Sequence, residues 1–191
     1  MNNPKAPIDQ IMYCHGFASN FDPSKDKVQM LSQLAPVIGV TVDYTQHPME
    51  VFDAFAVPLL HARRTLIVGT SMGGFFAAWL GSTLDFPFIS INPAITPDTS
   101  LRKHIGTGMT YFGSKFHLNE EVIDVYADLP FRTDGRGQII LDLGDEVIDA
   151  QKTITAVGNR LPVITFPGGS HRFDHMRELA VVIREDFSIT R

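Results

Sequence analysis

The chain has 191 residues, with 16 Lys and Arg against 21 Asp and Glu, a formal net charge of −5, and 44% hydrophobic residues. This balance is typical of a folded globular protein, and the chain lacks the basic stretches that would neutralise a run of nucleic-acid phosphates. The length predicts a single domain, residues 1–191, with a core large enough to need no disulfide or metal.

The N-terminal residues 1–10 contain two prolines and no continuous apolar stretch. They fit neither a secretory signal nor a membrane span. The single cysteine, Cys14, cannot form a disulfide within the chain, and its position in an apolar run indicates a packed thiol. We therefore expect a cytoplasmic protein without a membrane span.

Short apolar runs alternate with longer amphipathic segments along the chain. This alternation indicates an α/β fold, in which helices cover a mostly parallel sheet. The predicted strands are 11–14, 40–44, 65–68, 88–91, 138–143 and 163–166.

Three amphipathic segments predict helices around this sheet. The first has apolar residues at helical spacing over 28–35, with Ser24 available as a cap and Pro36 as a stop. The second runs from Pro48 to about residue 63, and its Pro58 removes one internal hydrogen bond. The third, over 176–187, has the clearest apolar face.

The segment between Pro93 and Pro130 interrupts the alternation. It is too long for a simple loop and contains too many glycines for one helix. We interpret 94–130 as a small inserted cap, in which a short helix starts at Asn119 and continues through Asp128.

The strongest local motif is the run Gly69-Thr70-Ser71-Met72-Gly73, which lies between a predicted strand and a helix-forming segment. This is the pattern and the context of a nucleophile elbow, a tight turn that presents the serine at the carboxyl edge of the sheet. The small flanking residues let the backbones pass closely. A Gly/Ser-rich turn without chemistry is the alternative interpretation.

A serine needs a base to activate it and a third group to orient that base. With this elbow, the acid and then the histidine follow the serine in the chain. His171, in a glycine-rich loop after strand 163–166, is the predicted base; His175 is expected in the last helix with a structural role. Asp145 is the predicted acid, although it can instead cap the following helix.

Other carboxylates near Asp145 fit the acid position less well, because Asp142 lies within a predicted strand and Glu146 and Asp149 are expected to enter the next helix. The oxyanion of acyl transfer needs two backbone N–H donors. The residue after the nucleophile, Met72, supplies one of these donors, and Phe17, in the turn after the first strand, supplies the other. His15 is expected to support this turn by hydrogen bonds.

The remaining histidines have no metal-ligand spacing, and the elbow lacks the lysine of a phosphate-binding loop and the glycine pattern of a dinucleotide fold. We predict no metal and no cofactor.

Five motifs in this order resemble those of the YqiA-like small bacterial esterases of the α/β-hydrolase superfamily. They are Tyr13-Cys14-His15-Gly16-Phe17, Gly69-Thr70-Ser71-Met72-Gly73-Gly74-Phe75, Asn92-Pro93-Ala94, Gly144-Asp145-Glu146-Val147 and Gly168-Gly169-Ser170-His171. The resemblance extends from about residue 11 to 187. It implies a three-layer α/β-hydrolase fold and a carboxylic ester hydrolase with Ser71, Asp145 and His171 as its triad.

The expected function is hydrolysis of an ester of a small or medium acyl group through an acyl-enzyme. The aromatic residues Tyr111, Phe112 and Phe116 are candidates for the pocket lining, with core packing as the alternative role. A thioesterase with the same triad and a non-catalytic binding protein on the same fold remain alternatives. The expected partner is a small ester or thioester substrate rather than nucleic acid, and the protein is expected to be a monomer or a homodimer.

Overall fold

A computed structural model describes residues 6–62 and 64–189. Its elements in chain order are β1 (Ala6–Ile8), β2 (Gln10–Cys14), α1 (Asp26–Ser32), β3 (Val37–Ile38), α2 (Pro48–Ala56), β4 (Thr65–Thr70), α3 (Met72–Leu84), β5 (Phe88–Ile91), α4 (Pro97–Arg102), β6 (Gly106–Met109), β7 (Lys115–Leu118), α5 (Glu120–Ala127), β8 (Gly137–Asp142), α6 (Ala150–Val157), β9 (Val163–Phe166), α7 (Met176–Asp186) and β10 (Phe187–Ile189). None of the described helices is both long and apolar enough to cross a bilayer.

The central sheet has six strands in the order β3-β2-β4-β5-β8-β9, and every neighbouring pair is parallel. All six strands therefore end at the same edge, and the loops that follow them meet there. Two short parallel strands, β1 and β10, form a separate pair near the ends of the chain. The sequence pattern did not predict that pair.

Side chains alternate along β2 between two hydrophobic cores, one on each face of the sheet. Met12 and Cys14 belong to the core covered by α2, α3 and α5, whereas Ile11 and Tyr13 belong to the core covered by α1 and α7. The predicted α/β class, with helices on both faces of a mostly parallel sheet, is confirmed. Burial raises the pKa of the Cys14 thiol, as expected for a packed cysteine.

The predicted strand at 40–44 is wrong, because the second strand of the central sheet is Val37–Ile38. This strand pairs with β2 over only two residues, and Gly39 then packs against the ring of Phe21 as the chain leaves the sheet. Val42 and Tyr44 are buried in the core with residues of α2 and α3 and hydrogen-bond to His15, rather than pairing in a strand. Apolar alternation alone cannot distinguish these two environments.

Two predicted helices differ at their ends. The second helix stops at Ala56 and continues as a short 3₁₀ turn, Val57–Leu59, because Pro58 has no N–H to donate. The first helix begins at Asp26, and Ser24 does not cap it, since the Ser24 backbone N–H and hydroxyl both donate to Asp22.

The segment 94–130 contains α4, an antiparallel hairpin of β6 and β7, and α5. The helix predicted from Asn119 is present as α5, with Asn119 directly before its first residue. The hairpin was not predicted, because its glycines were interpreted as interruptions. Gly108 is needed there for close packing, since a Cβ at this position would lie 2.3 Å from the ring of Phe116.

Candidate active site

The turn between β4 and α3 places Ser71 at the carboxyl edge of the sheet. Ser71 has φ 56° and ψ −120°, a conformation that a non-glycine residue adopts only under constraint. A Cβ on Gly69 would lie 2.0 Å from the Gly73 carbonyl oxygen, and one on Gly73 would lie 2.1 Å from the Cys14 carbonyl oxygen. The two glycines are therefore required by the close passage of backbones, as the motif predicts.

The side chains of Ser71, His171 and Asp145 form a continuous chain of hydrogen bonds. The distance from Ser71 Oγ to His171 Nε2 is 3.0 Å, and His171 Nδ1 lies 2.9 Å from Asp145 Oδ2 and 3.1 Å from Oδ1. The side chain of His171 is 22% exposed and that of Asp145 only 1%. The structure thus brings together three residues that lie 100 and 26 positions apart in the chain.

The loop after β8 holds Asp145 by its own backbone. Asp145 Oδ1 accepts hydrogen bonds from the N–H groups of Val147, at 2.7 Å, and Ile148, at 2.8 Å. The alternative role, in which Asp145 caps the next helix, is wrong, because Asp149 caps α6 by accepting from Lys152 N–H. Asp145 is therefore constrained by the loop and directed at the histidine.

The neighbouring carboxylate, Glu146, contacts the loop that carries the histidine. Glu146 Oε2 accepts a hydrogen bond from His171 N–H at 2.9 Å, and this bond lowers the pKa of the Glu146 carboxyl. Asp145 thus binds the side chain of His171, and its neighbour Glu146 binds the backbone of the same histidine.

Sequence reasoning missed a second aspartate and histidine pair, formed by the last residue of β8 and the residue directly before α7. Asp142, fully buried at the end of β8, accepts hydrogen bonds from His175 Nδ1 at 2.7 Å and from the N–H groups of Asp174 at 2.8 Å and Ser170 at 3.2 Å. The His175 ring stacks on Phe166 with 5.0 Å between centroids. An ionisable residue at the end of an otherwise apolar strand was the signal that could have found this pair.

Asn92, just after β5, connects the central sheet to the same loop. Its Oδ1 accepts from Asp142 N–H at 2.9 Å, and its Nδ2 donates to the Ser170 carbonyl oxygen at 3.1 Å. Asn92 and Asp142 therefore fix the backbone on the N-terminal side of His171 from two strands at once.

The turn after β2 lies directly over Ser71. A Cβ on Gly16 would lie 3.5 Å from Ser71 Cβ, so the next residue, Phe17, lies close to the turn that carries the serine. Phe17 and Met72, the two predicted donors, line the same cleft as Ser71 and His171.

His15 supports this turn by hydrogen bonds, as predicted. Its Nδ1 donates to the Gly16 carbonyl oxygen at 2.8 Å, its Nε2 accepts from Val42 N–H at 3.0 Å, and the Tyr44 hydroxyl donates to the His15 carbonyl oxygen. Burial lowers the pKa of His15 to about 4, so the ring is neutral at pH 7, as this bonding pattern requires.

The family described as "Uncharacterised protein family (UPF0227)" matches residues 10–184 of this chain. The chain belongs to this family. The family resemblance predicted from the five motifs is thereby confirmed. Among the curated UPF0227 proteins, YcfP from Salmonella gallinarum is 25% identical over 174 residues, which cover 87% of this chain and 92% of YcfP.

Solved structures place the UPF0227 chain in the α/β-hydrolase fold. Est1E from Butyrivibrio proteoclasticus is 14% identical with a TM-score of 0.70, and the match covers 96% of this chain and 88% of Est1E. The mouse alpha/beta hydrolase domain-containing protein 10 is 16% identical with a TM-score of 0.63, over 93% of this chain and 88% of the mouse protein. At this level of identity the likeness concerns the fold.

In this UPF0227 chain an open cleft of about 970 Å³ lies over Ser71. One wall is apolar and comes from the turn after β2 and from the inserted segment; it is formed by Phe17, Leu101, Met109, Tyr111 and Phe116. The Tyr111 side chain is exposed, and its backbone N–H donates to the Ala18 carbonyl oxygen at 2.8 Å. Phe112, also predicted as pocket lining, is not among the residues that line this cleft.

Proposed function

We propose that this protein is a serine esterase that cleaves a carboxylic ester of a small or medium acyl group. The observation that carries the proposal is the hydrogen-bonded chain from Ser71 Oγ through both ring nitrogens of His171 to the Asp145 carboxylate. This chain places a general base within reach of a serine at an elbow, and a buried carboxylate behind that base.

In the first step, His171 Nε2 removes the hydroxyl proton of Ser71 as Oγ attacks the carbonyl carbon of the ester. The Asp145 carboxylate accepts the Nδ1–H bond and thereby stabilises the imidazolium that forms. His171 then gives the proton to the leaving alkoxide, and the acyl group remains on Ser71. In the second step His171 deprotonates a water molecule as its oxygen attacks the acyl carbon. The bond between that carbon and Ser71 Oγ then breaks, His171 returns the proton to Oγ, and the carboxylic acid is released.

The negative charge on the tetrahedral oxygen needs donors that are already in place. We assign this role to the backbone N–H groups of Phe17 and Met72. The assignment is supported by the close approach of the Gly16 turn to Ser71 and by the position of Met72 as the first residue of α3. The bonds from His15 hold that turn before the substrate arrives, so little reorganisation accompanies the reaction.

The cleft supports the proposed substrate class. An open cleft with an apolar wall fits a small or medium acyl group rather than a polymer, and we take the segment 94–130 as the cap that provides most of this wall. The fold shared with solved structures such as the mouse alpha/beta hydrolase domain-containing protein 10 supports a hydrolase.

The test is labelling by a fluorophosphonate probe, which reacts fast only with an activated serine. Wild-type protein, Ser71→Ala, His171→Ala and Ser100→Ala are exposed to the probe, and intact mass and labelled peptides are measured. Ser100→Ala is the matched control, because Ser100 lines the same cleft but lies on α4, outside the elbow.

We expect one adduct on Ser71 in the wild type and in Ser100→Ala, no adduct in Ser71→Ala, and labelling slowed by orders of magnitude in His171→Ala. Turnover of 4-nitrophenyl butyrate by the same four proteins should follow the same order. A folded wild-type protein without an adduct would contradict the proposal and favour a non-catalytic binding protein.

A further inference from the structure

The cleft over Ser71 concentrates positive charge in a protein that is acidic overall. Among the described residues, its lining includes Lys25, Lys27, Lys103 and Arg172 but only two carboxylates, Asp26 and Asp174. The whole chain has the opposite balance, with 16 Lys and Arg against 21 Asp and Glu. The distribution of charge therefore favours an anion at the place where the proposed substrate binds.

Three of these cations, Lys27, Lys103 and Arg172, are without a hydrogen-bond or ion-pair partner in the described part of the chain. Lys103 directly follows α4 and is exposed, whereas Lys27 and Arg172 lie close enough to interact electrostatically. Lys27, on α1, is half-buried, and neither its ammonium nor the Arg172 guanidinium makes a hydrogen bond or salt bridge with a residue in 6–62 or 64–189. Lys25 differs, because its ammonium donates to Ser19 Oγ and to two oxygens of Asn20. Lys25 therefore serves the loop, whereas Lys27 and Arg172 remain available.

The surroundings of Lys27 destabilise the charged form of its side chain. Burial is the main cause that lowers its pKa to about 8, and the nearby Arg172 lowers it further, while Asp174 and Asp142 act in the opposite direction. Neither carboxylate forms an ion pair with the ammonium; Asp142 instead accepts from three other donors, and Asp174 accepts from Ser170 Oγ. A half-buried cation beside a second cation costs free energy that a bound anion would offset.

We propose that Lys27 and Arg172 form a binding site for an anionic group of the substrate, a carboxylate or a phosphate. The inference rests on the proposed esterase function and narrows its substrate class to esters that carry such a group. Lys27 and Arg172 line the same cleft as Ser71 and His171, so the anion would bind in the cleft that holds the reacting ester. The apolar part of the substrate then contacts the wall formed by Phe17 and Phe116.

The test compares esters that differ in charge but share a six-carbon acyl chain. The neutral probe is 4-nitrophenyl hexanoate, and the 4-nitrophenyl monoester of adipic acid places a carboxylate on the acyl side. Two further probes, 4-hexanoyloxybenzoate and 4-hexanoyloxyphenyl phosphate, place a carboxylate or a phosphate on the alcohol side and are compared with phenyl hexanoate. They distinguish the two anions and their position.

Each probe is tested on the wild type, Lys27→Met, Arg172→Gln and the double variant. Lys115→Met is the control, because it removes the same charge from an exposed lysine of β7 that does not line the cleft. We expect Lys27→Met and Arg172→Gln each to lower kcat/KM about tenfold for at least one anionic probe and less than about twofold for its neutral counterpart. The control should change both probes by less than about twofold.

Equal losses on charged and neutral probes, or an equal loss in Lys115→Met, would overturn the inference while the esterase function stands. Failure of the esterase function is recognised separately, as absence of hydrolysis and of fluorophosphonate labelling. Even then the anion site is tested by calorimetry, with adipate and inorganic phosphate titrated into Ser71→Ala and into Ser71→Ala with Lys27→Met. Binding lost on adding Lys27→Met supports the site, and no binding to either protein overturns it.

Discussion

The C-terminal end of β8 and the loops after β8 and β9 contain two pairs of the same kind, Asp145 with His171 and Asp142 with His175. In each pair the histidine Nδ1 contacts a nearly or fully buried carboxylate, at 2.9 Å and 2.7 Å. The pairs differ in what the rest of the histidine ring contacts. His171 presents its Nε2 to Ser71 Oγ, whereas the ring of His175 stacks on Phe166.

The two carboxylates also differ in their other partners. Asp145 binds the backbone of its own loop, whereas Asp142 binds two N–H groups of the loop that carries His171. The same pair of side chains can therefore serve chemistry in one place and hold a loop in another. The role of each pair depends on what the histidine ring contacts besides its aspartate. We therefore expect variants of the first pair to lose activity and variants of the second pair to lose stability.

The largest effect is expected at Ser71. Ser71→Ala removes the nucleophile of the proposed mechanism and should lower kcat by about 10⁴-fold or more on 4-nitrophenyl butyrate. Its free energy of unfolding should change by less than about 0.5 kcal/mol, because alanine also has a Cβ at the strained position. Urea unfolding of the variant checks the second value, and retention of more than a tenth of the activity would contradict the proposed nucleophile.

Asp145→Asn is the sharpest test of the first pair. An amide in this place can favour the wrong tautomer of His171, so we expect kcat to fall by about 10³-fold with a much smaller change in KM. Steady-state kinetics at pH 7 measures both constants. An equal fall in kcat for Asp142→Asn would mean that the two pairs do not have separate roles.

Asp142→Asn should act mainly on stability. One amide oxygen cannot replace both carboxylate oxygens toward the three donors of Ser170, Asp174 and His175. Leaving buried donors without an acceptor is expected to lower the free energy of unfolding by about 3 kcal/mol. The midpoint of urea unfolding measures the loss. A variant as stable as the wild type would contradict the anchoring role.

A third histidine extends the comparison, because the His15 ring binds backbone groups and has no carboxylate partner among residues 6–62 and 64–189. Its pKa is lowered from 6.5 to about 4 in the folded protein, so the unfolded chain binds more protons between these values. Stability from this group is complete above pH 6.5 and is lost as pH falls toward 4. We expect the wild type to lose about 2 kcal/mol more than His15→Gln between pH 7 and pH 4.5.

Urea unfolding of both proteins at these two pH values gives the difference. His15→Gln is expected to be less stable at pH 7, since it loses one of the two side-chain bonds, but to have the flatter pH dependence. Parallel pH curves for the two proteins would show that His15 is not the group that titrates.

The smallest effects are expected at His175, where two variants separate its hydrogen bond to Asp142 from its stack on Phe166. His175→Asn keeps a donor for Asp142 and loses the stack on Phe166, which should cost about 1 kcal/mol. His175→Phe keeps the stack and removes the donor, so it should be the less stable variant. In both, kcat is expected within about threefold of the wild type, because His175 is not part of the proposed proton transfer. A reversed order of stability would assign the main role to stacking.

Local patterns were enough for the elbow and for most of the sheet. Gly69, Ser71 and Gly73 stand between a buried strand and a helix, and that context can be read within a dozen residues. Asp145 and His171 could be predicted because parallel strands end at one edge of the sheet, so the loops that follow these strands meet. The resemblance to a known family added the order of the motifs.

Other features depend on contacts between distant segments. The sequence pattern assigns Asp142 to a strand and His175 to the last helix. In the structure Asp142 ends β8 and His175 directly precedes α7, and the two meet although they lie 33 positions apart in the chain. Likewise, the hairpin of the inserted segment depends on Phe116 filling the space beside Gly108. A sequence pattern indicates whether a residue lies on the buried or the exposed face of its strand or helix. It does not identify the distant residue that the side chain contacts.

One backbone hydrogen bond, from Tyr111 N–H to the Ala18 carbonyl oxygen, joins the inserted hairpin to the turn after β2. Ala18 itself has φ 55°, so this turn is already in a conformation that few alanines adopt. The insertion is therefore not a module that can be exchanged freely for another. An engineer who grafts a different specificity segment onto this scaffold has to reproduce an N–H at the position of Tyr111, or the turn beside the serine loses a support from outside the sheet.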